Sequence, residues 1–384
     1  MLQQDYEGVY VHTPFCMQKC LYCDFASYAG LGADLQERYV ADLCREITLR
    51  GRQVRRGATF FFGGGTPTVL TTEQLTRIVT ALKAQGVWQQ PAEATIEANP
   101  GTVDLAKLTA LRQLGFDRLS LGVQSLNDAE LKAVGRIHTA DQALAAIKLA
   151  QQAGFTRINA DVITGLPGQT VTSLQHTLSR LVDSGLRHLS VYSLILEPGT
   201  PLEKLVEAGK IFLPDEDLEA ELYQTAVEFL QKTPLQRYEV SNYAVPGQES
   251  RHNLLYWHYR PYLGLGAAAV SFNGRDRFNA VRTVAAYCQA VEQAEGGIFP
   301  WGQVESLTPR DHLEEYLFLG LRTTAGLNLT EAGERFHCDV WARYGKELQP
   351  FIANGCLIHV PGQRLYLTAK GLRFGNQIFE VFIE

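Results

Sequence analysis

Short apolar, β-branched or aromatic runs recur through the first part of the chain, with amphipathic stretches between them. The runs are Gly8–His12, Thr59–Phe62, Ala94–Glu97, Arg118–Gly122, Arg157–Ile163 and His188–Leu194. Brief runs of residues that suit a pleated, half-buried surface predict strands. Between them, Leu35–Leu49, Thr72–Lys83, Leu105–Leu114, Ala140–Ala153 and Ser173–Ser184 carry apolar residues at three- and four-residue steps. That is the period of a helix with one buried face. Strand–helix alternation predicts βαβ units and a parallel sheet. Six units close most of the way round a barrel, and eight make a full one. The expected fold is α/β, with a partial (βα)6 TIM-like barrel over residues 1–235.

The segments after the predicted strands are polar or rich in glycine. They read His12-Thr13-Pro14, Gly63-Gly64-Gly65-Thr66-Pro67, Glu97-Ala98-Asn99-Pro100, Gln124-Ser125 and Thr164-Gly165-Leu166-Pro167-Gly168. In a βα barrel these C-terminal strand ends build the active site. Glycine and proline punctuate any loop, so one such end would say nothing; five on one face point to a site. Beyond residue 235 the pattern changes. Residues 236–306, with Tyr238–Tyr243, Arg251-His252-Asn253-Leu254-Leu255-Tyr256-Trp257 and Gly264-Leu265-Gly266-Ala267, read as a linking segment. Residues 307–384 read as helices followed by Cys356–Val360 and Arg364–Thr368 around Pro361-Gly362, a hairpin signal. They predict a small α+β, winged-helix-like domain, and one place for it is over the barrel mouth.

Charge and composition narrow the function. The net charge of −6, from 35 basic and 41 acidic residues, excludes a general nucleic-acid binder. No apolar stretch approaches membrane-spanning length. The N-terminal Met-Leu-Gln-Gln-Asp-Tyr-Glu has no basic region leading into an apolar run, so no signal peptide is read and the cytosol is expected. Seven cysteines are too few for a disulfide scaffold. Three of them crowd into Cys16-Met17-Gln18-Lys19-Cys20-Leu21-Tyr22-Cys23, a C-x3-C-x2-C loop just after the first predicted strand. Zinc usually asks for four ligands. Three thiolates on a [4Fe–4S] cube leave one iron open to a small molecule. Three buried structural thiols, a zinc site and a purely electron-transferring cluster remain as alternatives. Cys44, Cys288, Cys338 and Cys356 stand alone and read as packed thiols.

The cysteine spacing, with Tyr22 just before the last cysteine and Gly63–Pro67 after the second strand, resembles the radical-SAM superfamily. That resemblance implies that the open iron takes S-adenosylmethionine (SAM), and that one electron from the cluster breaks a C–S bond. It also implies that backbone N–H groups of the glycine loop form a nest for the SAM carboxylate. The similarity sharpens at Tyr10–Cys16, Gly63–Thr68, Glu97–Pro100, Gly122–Ser125, Gly135–His138, Asp161 and Gly165–Thr170, all of which resemble oxygen-independent coproporphyrinogen III oxidases. Carried over, it implies SAM contacts from Tyr10, Tyr22, Gly64, Gly65, Thr66, Glu97, Gln124, Arg136 and Asp161, with Ile195 beside the adenine. Arg136 suits the SAM carboxylate, and Glu97 or Asp161 suits hydroxyl or amino groups.

Two departures matter. Phe25 stands where the oxidases carry a fourth cysteine, and the chain before Cys16 is short. Both features, with Arg251–Trp257, resemble the HemW-type heme chaperones. Membership there implies heme as cargo, handed to heme-accepting proteins such as respiratory enzymes. His252 is then the expected axial ligand, with His258 behind it, since imidazole suits iron. The alternatives are oxidative decarboxylation of coproporphyrinogen III and a radical-SAM reaction on another substrate, so the resemblance leaves open whether the chain is an enzyme. Replacing Cys16, Cys20 and Cys23 together by Ala is expected to abolish the brown visible absorption of reconstituted protein. Colour and iron retained by that variant would sink the cluster assignment.

Overall fold

The computed structural model describes residues 6–294 and 302–383; the first five residues, read above for a leader, lie outside them. All six predicted strands are present: β1 (Tyr6–Thr13), β2 (Val54–Gly64), β3 (Glu93–Ala98), β4 (Arg118–Gln124), β5 (Arg157–Thr164) and β6 (His188–Ser193). They lie side by side in chain order, each paired parallel with the next. The crossovers carry helices α1 (Ala33–Arg50), α2 (Thr72–Ala84), α3 (Leu105–Leu114), α4 (Ala140–Gln152) and α5 (Val171–Asp183). Their starts are set locally. Thr71, Thr139 and Thr170 each form a capping box with the residue three places on, which satisfies donors the first turn would leave free. One face of α2, through Leu75, Ile78, Val79 and Leu82, is fully buried. The core between sheet and helices is aromatic at its centre, where Phe60, Phe62, Trp88 and Phe116 meet at ring separations of 4.6–5.9 Å.

A seventh parallel strand, β7 (Tyr262–Leu265), pairs with β1 on its free side. It comes from the stretch 236–306, which extends the sheet at both edges. Val270–Phe272, Asp276–Asn279 and Gln303–Ser306 continue antiparallel beyond β7, and Asn242–Ala244 and Gln236–Arg237 continue beyond β6. These strands are two to four residues long, too short to show a period. Gly264 inside β7 weakens the signal further, yet the fold needs it: a Cβ there would lie 2.1 Å from the Val270 carbonyl oxygen.

Strand β7 is held against α1 by buried charge. Glu46, fully buried, accepts from the Arg50 guanidinium, the Tyr287 hydroxyl at 2.7 Å and the Gly266 N–H at 2.8 Å. Arg50 also donates to the Gly264 carbonyl at 3.0 Å. Residues 307–383 build a second core around Leu317, Leu321, Leu348, Leu365 and Phe382. Helices Pro309–Gly320, Leu329–Phe336 and Val340–Ala353 precede the hairpin Leu357–Val360/Arg364–Leu367, and Leu327–Asn328 pairs with it. This unit meets Trp257 through Arg322 stacked 5.3 Å over the indole, and Tyr259 through a 2.7 Å bond to His312. Both residues precede β7, so this contact falls at the N-terminal end of that strand; a second one pairs Thr323 with Glu239 and bonds Thr324 N–H to the Tyr238 carbonyl at 3.0 Å, beside the strands that extend β6.

Removing one partner of a buried pair strands the other charge, at a cost of about 3–5 kcal/mol. Glu46→Ala is therefore expected to lower unfolding free energy by about that much in urea titration. A loss below about 1 kcal/mol, the level of an exposed pair, would refute the clamp.

Candidate functional site

Strand β1 delivers the cysteine loop to the C-terminal face of the sheet. Phe15-Cys16 pairs with Tyr28-Ala29, and the Cys23 N–H donates to the Cys20 carbonyl at 3.2 Å, so the loop folds back on itself. The glycine loop after β2 docks on it through backbone. Gly65 N–H donates to the Thr13 carbonyl at 2.7 Å, and Thr66 N–H to the Phe15 carbonyl at 2.8 Å. Glycine is obligatory here. A Cβ on Gly65 would stand 2.7 Å from both of the carbonyl oxygens of Thr13 and Phe15. Gly64 has φ +106°, and a Cβ there would meet the His12 ring at 2.4 Å. The N–H groups of this loop are already used, because Gly64 N–H donates to Glu97 at 3.2 Å. A nest for a carboxylate is thus absent; the loop offers a ligand close approach instead.

The two loops wall a cavity of about 130 Å³. Its lining brings together Cys16, Cys20, Cys23, Tyr22, Gly64, Gly65, Thr66, Glu97, Gln124, Arg136 and Asp161. Two half-buried carboxylates, Glu97 and Asp161, form the floor. Asp161 accepts from Asn159 at 2.7 Å and Ser120 at 3.4 Å. Burial, and then the Asp161 charge, push the Glu97 carboxyl up to about 8. Gln124 reaches the cavity from a bulge in the β4–β5 pairing, with φ 68°. Tyr22 packs against Val134, Ile163 and Leu166. Burial pushes the Cys16 and Cys23 thiols up, the reverse of what an activated nucleophile needs.

This donor set fits the implied cofactors. Among the described residues no three His, Cys, Asp or Glu side chains converge as a single ion would require. A cluster takes one thiolate per iron, so its cysteines stand apart. The half-buried carboxylates of Glu97 and Asp161, on the same wall as the cysteines, suit a cationic, hydroxyl-bearing ligand such as SAM.

Three expected contacts and the histidine ligands fall elsewhere. Tyr10 is not on the cavity wall; its hydroxyl bonds His12 Nδ1 at 3.0 Å. Ile195 does not line the cavity and is exposed. Arg136 lines it, but its guanidinium is committed to the Cys20 sulfur at 3.3 Å, Asn99 Oδ1 at 2.7 Å and the Gly122 carbonyl. His252 is fully buried, with Nδ1 bonded to Thr59 and Nε2 to Tyr256, both at 2.8 Å. Neither ring nitrogen is left for iron, and His258 lies at the exposed end of the same helix. Conversely, Asn99, Ser27 and Ser120 line the cavity without having been singled out. Asn99 sat inside a polar strand end already noted; Ser27 carried no signal at all.

A carboxyl whose folded pKa is raised contributes stability below its unfolded pKa, lost as pH rises through the folded value. The contribution of Glu97 to the stability of the cofactor-free protein is therefore expected to fall between about pH 4.5 and about pH 8, and in urea titrations Glu97→Gln is expected to make the pH slope over that window less negative than wild type's. An unchanged slope in the variant would remove Glu97 as its source.

Residues 10–181 match the radical SAM superfamily, and residues 307–374 match the HemN C-terminal domain. The chain is 35% identical over 383 residues to the heme chaperone HemW of Lactococcus lactis, covering 100% of this chain and 98% of that one. It is 34% identical over 381 residues to the heme chaperone HemW of Bacillus subtilis, covering 98% and 99%. Among solved structures, coproporphyrinogen III oxidase (HemN) from Escherichia coli, described as a radical SAM enzyme, superposes with a TM-score of 0.85 at 26% identity, covering 99% and 90%. The chain belongs to the HemW heme chaperone family of the radical SAM superfamily.

Proposed function

We propose that this protein binds heme and passes it to heme-accepting proteins in the cytosol, respiratory enzymes among them. In this reading Cys16, Cys20 and Cys23 hold a [4Fe–4S] cluster and the cavity beside them holds SAM. The observation that carries it is the end-to-end likeness to curated heme chaperones, 35% over 383 residues. Phe25 adds to it. At the place where the oxidases carry a fourth cysteine, this side chain is 63% exposed at the cavity edge.

The chain's own residues do the following. The two loops position three thiolates at the end of β1. Glu97 and Asp161 accept hydrogen bonds from amino or hydroxyl groups of a ligand in the cavity. Tyr22, packed on an apolar patch, closes the wall behind it. The cluster, when bound, supplies the single electron that SAM chemistry requires.

One observation favours the second reading, oxidation of coproporphyrinogen III. The superposition on HemN covers nearly the whole chain, and nine of the residues expected at the cluster and SAM, with Arg136 among them, share one cavity with the third cysteine and Asp161. An anaerobic assay separates the two. Cluster-reconstituted protein is given SAM, a strong reductant and coproporphyrinogen III, and heme is titrated in parallel. We expect no protoporphyrinogen, and a saturable Soret shift whose heme then moves to an added apo-acceptor. Protoporphyrinogen formation, or heme uptake that never saturates, would overturn the chaperone assignment.

A further inference from the structure

Each of the three cysteine sulfurs has a hydrogen-bond partner, and the partners come from three parts of the chain; the Ser27 hydroxyl also lies near Cys16 and 3.5 Å from the Phe25 carbonyl. Thr66 Oγ1 donates to Cys16 at 3.6 Å, Arg136 Nη1 donates to Cys20 at 3.3 Å, and Ser27 Oγ lies 3.8 Å from Cys23. A metal-bound sulfur is a thiolate and only accepts, so with a cluster in place the Ser27 hydroxyl is the donor. Thr66 and Ser27 are 2% and 1% exposed, which leaves almost no room for competing water. Asn99 organises two of the three. Its Oδ1 accepts from Arg136 at 2.7 Å, while its Nδ2 donates to Thr66 Oγ1 at 2.9 Å. The Thr66 oxygen thus accepts from Asn99 and directs its single proton to Cys16.

We propose that Thr66, Arg136 and Ser27 form a donor set, one per sulfur, that raises the reduction potential of the cluster, and that Asn99 is its positioning residue. The proposal rests on the cluster assignment above. A donor withdraws charge from a thiolate and so favours the reduced, more negative cluster over the oxidised one. Arg136 brings a full positive charge, and charge-assisted bonds are the stronger kind, so Cys20 holds the most strongly tuned corner.

The test is the cluster midpoint potential, read by redox titration of the reduced-cluster EPR signal in full-length reconstituted protein. Iron and SAM binding are measured alongside. Ser27→Ala, Thr66→Val, Asn99→Ala and Arg136→Gln are each expected to shift the midpoint negative, Arg136→Gln most. Asn99→Ala shifts it although Asn99 touches no cysteine, and Thr66→Ser restores the wild-type value. Unchanged midpoints in Ser27→Ala and Thr66→Val at full iron content overturn the proposal. So does an Arg136→Gln protein with weakened SAM binding and an unmoved midpoint, which would return Arg136 to the ligand. Wild-type protein that takes up no iron would instead refute the cluster assignment, a separate result. Because the hydroxyl variants change one or two buried atoms each, the failure of one to load iron leaves the others to decide.

Discussion

The site depends on one close approach of backbone to backbone. The β1–β2 ladder runs on past the sheet, where Gly65 and Thr66 donate to Thr13 and Phe15. These two bonds fix the glycine loop against the cysteine loop, and no residue with a Cβ fits at Gly65 without moving the Thr13 or Phe15 carbonyl. Everything else at the barrel mouth is placed by reference to this seam. Thr66 comes to lie beside Cys16, Asn99 beside Thr66, and Arg136 beside Asn99. The loop's amides are spent on holding the two loops together, so ligand recognition falls to side chains on the neighbouring strands.

Those side chains set up an unusual electrostatic arrangement. Glu97 and Asp161 are half-buried on the same floor, and lost hydration raises both carboxyls. Asp161 has neutral partners in Asn159 and Ser120; Glu97 has one backbone N–H. Arg136 donates to the Cys20 sulfur, while Arg118 is the positive charge that partly offsets the raising of both carboxyls. The cavity therefore keeps anionic capacity for a cationic ligand on one side and donors for thiolates on the other. Such separation is what a ligand carrying a positive charge next to an electron-rich cluster would need.

Much of this was legible in the chain because it is local. The six strands and five helices appear where apolar period and capping residues put them, and the cysteine loop announces itself by spacing. What escaped is what depends on distant segments. Strand β7 is four residues with a glycine in it, and its place is set by the Glu46 clamp 220 positions away in the chain. Ser27 looks like any loop serine until the fold returns it to Cys23. Arg136 was assigned to a carboxylate by likeness, yet its partner is a sulfur 116 positions earlier. A contact between residues 20 and 136 depends on the fold bringing two loops together, which spacing along the chain does not show.

The histidine–aromatic stretch at Arg251–Trp257 shows the same limit from the other side, since its chemistry suggested a ligand and its surroundings make it a floor. Glu93, fully buried at the start of β3, accepts from the N–H groups of Arg251 and His252, both at 3.0 Å, and from Arg157 at 2.6 Å. Burial alone would raise that carboxyl, but Arg118, Arg157 and the backbone donors hold it below the usual range. A charged acceptor at the first turn also favours the helix by its dipole. The helix is thereby pinned across the N-terminal end of the sheet, with the His252 ring stacked on Phe61 and bonded at both nitrogens. Its far end presents Trp257 to Arg322 of the C-terminal unit. One short helix thus packs across the bottom of the barrel and meets the second domain, on the opposite side of the sheet from the cluster loop.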